Sequence, residues 1–267
     1  MSLVRVARAM PAMFRIGMAE LVAYRAEMVI WILTATMPLI MLALWNTVVE
    51  DAPVAGYGPT EITRYFAATL VVRQLTSAWV LWHLNWLIRT GGLSARLLRP
   101  INPLVYEGVT MLAAMPMRLL VVAPMMVGLV LWRPELLAWP GLEALALFSV
   151  SVLLAWLMTF LVQALFGMVA FWTDQSEGMF GVWFTVWMLL SGYIAPLAMF
   201  PEPMQAVLAW LPFRGMIAVP VELLGGFLAP EDALFDIGAQ VMWVVVLASA
   251  AAATWRRGIR RYGAFGA

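Results

Sequence analysis

The 267-residue chain contains no cysteine and no lysine, and its single histidine is His83. Without cysteine it can hold no disulfide and no thiolate-bound iron–sulfur cluster, and it can do no thiol catalysis. Without lysine it cannot form a phosphate-binding loop of the GxxxxGKS/T kind or a Schiff base, so any ATP must be hydrolysed by another chain. One histidine supplies neither a bis-histidine haem site nor a multi-histidine metal site. Charge is scarce as well, at 12% of residues with a formal net charge of +1. The arginines are spread by topology instead of being gathered in a groove, which excludes a nucleic-acid binder. What abounds is apolar surface. It makes up 64% of residues, with mean hydropathy +0.90, against roughly 45–50% apolar and about 25% charged in a soluble domain. The chain is therefore expected to be an all-α integral membrane protein, and at about 20 residues per crossing its length allows five to seven spans.

Residues 1–27 are too charged to span. Leu3, Val6, Met10, Phe14, Gly17 and Leu21 share one side of a helical wheel, while Arg5, Arg8 and Arg15 lie opposite. This pattern predicts an amphipathic helix lying in the interface. The alternative, a signal peptide, fits less well because the first long apolar run starts only at Met28 and is too long for one. Six spans are expected, at 28–49, 62–88, 108–132, 144–172, 181–200 and 235–255. The first is followed by the Pro- and Gly-containing, acidic EDAPVAGYGPTE, a helix breaker. The third carries Arg118 and is expected to kink at Pro116. The fourth, 29 uncharged positions of about 43 Å, must tilt or protrude. Residues 89–104 read as a loop with a short amphipathic helix. Residues 201–232 are apolar but hold Pro201, Pro203, Pro212, Pro220 and Pro230, which rules out one continuous helix. They read either as re-entrant helices buried against protein or as an ordinary extracellular loop. A tail, 256–267, closes the chain.

Arginine counts set the orientation. With six spans, one side receives eleven (Arg5, Arg8, Arg15, Arg25, Arg89, Arg96, Arg99, Arg256, Arg257, Arg260 and Arg261), whereas the other receives Arg133 and Arg214. By the positive-inside rule both termini are cytoplasmic.

Within the second span, Thr69, Arg73, Thr76, Ser77 and His83 fall within about one third of the circumference of a continuous helix. Arg118 is expected at a comparable depth. No acidic residue occurs between Ile62 and Tyr106 to neutralise either arginine, and an intramembrane arginine must face protein or water. Two roles stay open: the stripe lines a translocation path or subunit interface, or the arginines cap carbonyls at a kink. His83 alone reads as a satisfied interfacial side chain, and Asp174 with Glu177 as a solvated turn. Tryptophans such as Trp31, Trp132, Trp172 and Trp255 fall where interfacial anchoring expects them. No catalytic constellation and no paired midplane carboxylates are evident. A non-catalytic permease subunit driven by a separate engine is thus preferred over a secondary transporter or channel independent of ATP.

Four stretches, GLSARLLRPINPL, the Phe171–Trp172 pair, SGYIAPLAMFP with LPFRGMIAVPVELLGG, and RRGIRRYGAFGA, together with the six-span layout, resemble the ABC-2-type permeases of prokaryotic ABC transporters, in particular the drug- or viologen-exporter branch. The resemblance implies a multi-pass protein of the cytoplasmic membrane with a connecting helix before the first span, a coupling helix between spans two and three, and re-entrant helices between spans five and six. It also implies a dimer of permeases, identical or paralogous, in contact with membrane lipids and bound to two copies of a separate ATPase. ATP and Mg would be held by that partner, leaving no cofactor in this chain. By the same likeness Leu93 to Ile101 sits in the ATPase groove, with Leu97 and Leu98 as apolar anchors and Arg96 and Arg99 as polar clamps. Transport by alternating access would run outward.

Overall fold

The computed structural model describes residues 25–137, 140–173 and 176–262. The expected interfacial helix up to residue 24, Asp174 and residues 263–267 of the tail lie outside the described residues. Twelve α-helices are described: α1 (Arg25–Val48), α2 (Pro59–Leu75), α3 (Val80–Arg89), α4 (Leu93–Leu97), α5 (Pro103–Ala113), α6 (Met115–Trp132), α7 (Leu142–Met168), α8 (Ser176–Leu190), α9 (Glu202–Leu208), α10 (Pro212–Met216), α11 (Ala218–Gly225) and α12 (Pro230–Arg261). Among the described residues the only β-type pairing is the isolated bridge Val54–Tyr57. Among the described residues three stretches are long and apolar enough to cross a membrane: Pro103–Trp132, Leu142–Phe171 and Pro230–Arg261. The other expected spans coincide with α1, with the α2–α3 pair and with α8.

Helix α7 is the hub, against which α3, α8, α10, α11 and α12 pack. Its small residues permit this, because helices without a hydrophobic drive between them approach most closely over glycine and alanine. A Cβ on Gly167 would lie 3.1 Å from the Leu81 carbonyl of α3. Two cores flank the hub. One is built on α2, where Ile62, Tyr65, Phe66 and Leu70 are fully buried with Met158, Met216 and Val221. The other is built on α3 and α4, where Leu84 and Leu87 of α3 and Leu93 of α4 meet Trp156, Phe160 and Met168.

Three differences from the sequence expectations have physical causes. The 62–88 run is not one helix. It breaks over residues 76–79, where side chains take the carbonyls that a continuous ladder would use: Arg118 Nη1 donates to Ser77 O at 2.5 Å and Gln163 Nε2 to Ala78 O at 2.7 Å. Distant donors can open an i→i−4 ladder in this way without proline or glycine. The 108–132 run parts at Ala114, so that Pro116 falls in the first turn of α6, where its missing N–H costs nothing. The 181–200 run is α-helical only to Leu190 and has just a short 3-10 turn at Leu197–Met199. After Leu190 the chain turns through Gly192 at φ +87°, a left-handed conformation that suits glycine. Its exposed carbonyls are claimed at once: Ala218 N–H donates to Ser191 O at 3.0 Å, Tyr65 Oη to Gly192 O at 2.7 Å and Trp45 Nε1 to Ile194 O at 2.7 Å. Irregular backbone is tolerated there because protein, not lipid, satisfies it.

Candidate functional site

Three polar sites stand out in the apolar bundle. The first is the loop holding α4. Asn102 caps the next helix, its Oδ1 accepting from Leu104 N–H at 2.9 Å, and Pro103 occupies the first turn. The cap fixes where α5 begins, and α4 lies across the end of α3. Leu93 is fully buried in the second core, while Leu97 is 38% and Leu98 89% exposed. Arg99 is exposed and Ile101 half-buried. Arg96 turns inward, with Cζ 4.4 Å from the centroid of Tyr106 and Nη1 3.9 Å from Glu107 Oε1. Glu107 is 1% exposed, and its other oxygen meets His83 Nδ1 at 2.7 Å. His83 is therefore tied to a carboxylate, and it lies beyond the 76–79 break, off the stripe that a continuous helix would have drawn. Glu107 carries no local sequence signal, since it is a lone acid in an apolar helix. Glu177, the described half of the acidic pair, accepts from Asn85 Nδ2 at 3.4 Å.

The second site surrounds the break. Thr69 and Thr76 are buried and spend their hydroxyls on carbonyls of their own helix, those of Tyr65 at 2.8 Å and Val72 at 2.9 Å. Ser77 is 8% exposed, and Arg118, which takes its carbonyl, is 2% exposed. Of the roles open to Arg118, this geometry is that of a carbonyl cap. Arg73 is half-buried and points elsewhere, with Cζ 5.5 Å from the Trp187 ring centroid and 5.9 Å from that of Tyr193. The structure thus brings together Thr76, Ser77 and Arg118, and separates Arg73 from them.

The third site is one that the sequence reading missed. Arg214 of α10 makes two forked pairs. Nη1 and Nη2 donate to Glu222 Oε1 and Oε2 at 3.2 and 2.8 Å, and Nε and Nη2 donate to Asp236 Oδ1 and Oδ2 at 3.1 and 3.0 Å. Both carboxylates are 7% exposed. Burial pushes the Glu222 carboxyl up, against the downward pull of Arg214. Burial pulls the Arg214 guanidinium down, but its two carboxylates outweigh this and hold it above its ordinary value. Nearby, burial and the Glu222 charge push the Tyr57 phenol up to about 12. Gln240 completes the knot, Nε2 donating to Gly215 O at 2.7 Å and Ser151 O at 3.1 Å. A cleft beside it, lined by Met158, Gly215, Asp236 and Trp243, holds about 10 Å³, room for one water. The spacing of eight residues between Arg214 and Glu222 was the available clue, hidden in a proline-rich stretch.

Among the described residues no group of three or more His, Cys, Asp or Glu side chains could hold a metal ion. Glu107, Glu177, Glu222 and Asp236 are each committed to a side-chain partner. No curated protein matches the chain. The model of a family described as ABC-2 family transporter protein matches residues 29–266. With an apolar helical bundle, long candidate spans and polar groups spent on holding helices together, the chain belongs to the ABC-2 family of transporter proteins, as a non-catalytic membrane subunit of an ABC transporter.

Proposed function

We propose that the chain crosses a prokaryotic cytoplasmic membrane six times with both termini inside. In this reading it pairs with a second permease, identical or paralogous, and exports a hydrophobic or amphiphilic substrate that is drug-, lipid- or glycan-like. Two copies of a separate ATPase, holding ATP and Mg, dock on residues 89–104. The fifth crossing is α8 extended by the irregular segment after Leu190, because 15 helical residues cover only about 22 Å of a core about 30 Å thick. Helices α9–α11 are the re-entrant region, on the face opposite the docking loop.

The observation that carries the proposal is the two-sidedness of α4. Leu93 is sealed in the second core while Leu97 and Leu98 project from it. Two exposed leucines between arginines suit a groove on a soluble partner, since burying each is worth about 1.5–3 kcal/mol. The Arg256–Arg261 end of α12 lies at the same end of the molecule, where Tyr262 Oη is 3.3 Å from Ser94 Oγ. A push on α4 has a route inward: Arg96 bears on Glu107 of α5, and Glu107 holds His83 of α3. Rigid movement of α3 against α7 would then shift the bundle between inward- and outward-open forms.

The test is replacement of Leu97 and Leu98 together by Asp. The expected result is normal insertion with at least about tenfold weaker copurification of the ATPase, and loss of its stimulation by the membrane complex. Unchanged docking and stimulation would defeat the proposal. So would a purified chain that moves a solute down an ion gradient with no ATPase present.

A further inference from the structure

Arg73 stands fourteen residues from Pro59 and sixteen, across the 76–79 break, from Arg89, near the middle of the bundle's thickness. A cation at that depth is costly and normally pairs with another charge or a backbone carbonyl, or faces water. Among the described residues Arg73 meets no carboxylate. Its surroundings are two ring faces, those of Trp187 and Tyr193. The Arg73 Nε–H has no hydrogen-bond acceptor. One turn apart on the neighbouring segment, the Trp187 indole N–H and the Ser191 hydroxyl are likewise buried without a partner, at 4% and 0% exposure. Buried donors left unsatisfied are costly, so two of them on the segment whose rings face a cation need an explanation. Tyr65 and Trp45 nearby do find carbonyls.

The rings beside Arg73 belong to a ladder. Trp82 and Phe180 are 5.6 Å apart, Phe180 and Trp183 also 5.6 Å, Trp183 and Trp187 6.4 Å, and Trp187 and Tyr193 5.4 Å between centroids. Its foot, Trp82, is 39% exposed and belongs to α3, the helix that ends at the docking loop. Aromatic faces accept an apolar or aromatic body in many registers, and the cation with its idle donors stands at the ladder's inner end.

The geometry points to Arg73, Trp187 and Ser191 as the headgroup subsite of an anionic amphiphile, a molecule with a phosphate, sulfonate or carboxylate group on an aromatic or apolar body. This rests on the permease reading and narrows its substrate class. The same head could belong to a membrane lipid or to a free solute. A bound anion would supply the counter-charge that the chain withholds and the acceptors its donors lack. Release would restore an unpaired cation, so the subsite exchanges its occupant instead of keeping it.

The probe is pyrenebutyrate, with its uncharged methyl ester as control, bound to the full-length chain in nanodiscs of neutral phosphatidylcholine without nucleotide or ATPase. Wild-type protein is expected to prefer the acid by about tenfold or more. Arg73→Gln should remove that preference and Arg73→Lys keep part of it. Trp187→Phe, which retains the ring but loses the N–H, should reduce it about threefold, whereas Arg133→Gln, altering an arginine that pairs with Glu135 at 3.5 Å, should leave it intact. In nanodiscs containing phosphatidylglycerol, displacement of the probe assigns the subsite to a lipid head, and undiminished binding assigns it to a free anion. Equal affinity for acid and ester in wild type would overturn the proposal. So would a preference that survives Arg73→Gln and Trp187→Phe alike, or loss of permease pairing on Arg73→Gln without any acid preference in wild type, because a partner carboxylate would then be the counter-charge. Binding is read without ATP, so a failed ATPase-docking test leaves this result standing, and the reverse holds too.

Discussion

Arg214 and Arg73 are the same side chain held in two opposite ways. Arg214 grips two buried carboxylates with four hydrogen bonds of 2.8–3.2 Å. Arg73 faces two aromatic rings and has no carboxylate within reach among the described residues. A guanidinium that has already collected two negative charges cannot bind a third group strongly; it can only fasten elements. Three elements converge on Arg214, since it sits in α10 while Glu222 is in α11 and Asp236 in α12. A guanidinium left with weak neutral partners keeps most of its electrostatic capacity. The difference separates a structural arginine from one able to act on a ligand, and each substitution below is chosen to test it.

The largest effect is expected at the fastened site. Arg214→Met strands Glu222 and Asp236 in a buried setting, which should cost about 3–5 kcal/mol. A fall in the melting temperature of the detergent-solubilised protein would measure it. Adding Glu222→Gln and Asp236→Asn should recover most of the loss, because apolar or neutral replacements of a whole buried ion cluster are tolerated far better than removal of one member. If the single variant were as stable as wild type, the triad would not be the fastener described.

Arg118→Met should come next, at about 1–3 kcal/mol, by leaving the Ser77 carbonyl of the 76–79 break without its donor. The same melting experiment reads it, and Gln163→Leu, which strips Ala78 O, should add to it. A stabilising outcome would mean that α2 and α3 prefer to join into one helix once the caps are gone. Glu107→Gln should cost less than Arg118→Met in stability, since His83 is 35% exposed and the contact to Arg96 is long at 3.9 Å. Its expected signature is functional: weaker stimulation of the ATPase with docking retained, in contrast to the loss of docking on removing Leu97 and Leu98.

Much of this bundle was legible from residue order. Uncharged runs located α1, α6, α7, α8 and α12, and the prolines of 201–232 excluded one continuous helix there without fixing the number or place of α9, α10 and α11. Run length did not reveal where those helices stop. The break at residues 76–79 contains no proline or glycine, so only its distant donors, Arg118 and Gln163, could have betrayed it, at separations of 41 and 85 positions. The end of α8 was signalled by Gly192 and Pro196, but the apolarity of the stretch outweighed them. The triad was hidden because an arginine in a proline-rich stretch reads as a solvated loop charge. For the arginine stripe, a continuous-helix wheel placed His83 with Thr69 and Arg73, and breaking the helix sent His83 to Glu107.

The smallest stability effect is expected at Arg73, and it bears most on the comparison. Arg73→Gln removes a cation that compensates no carboxylate, so nothing charged is left stranded. What disappears is two cation–π contacts, worth about 0.5–2 kcal/mol together at most, offset by relief of the charge's own desolvation cost. The net change in melting temperature should lie within the scatter of surface substitutions, and a slight gain would fit equally well. A loss as large as that for Arg214→Met would show that Arg73 has a hidden anionic partner and is a second fastener, erasing the contrast. A neutral melting temperature combined with loss of acid preference in the pyrenebutyrate assay would make Arg73 the cation kept free for cargo, in contrast to Arg214, which is spent on holding three helices together.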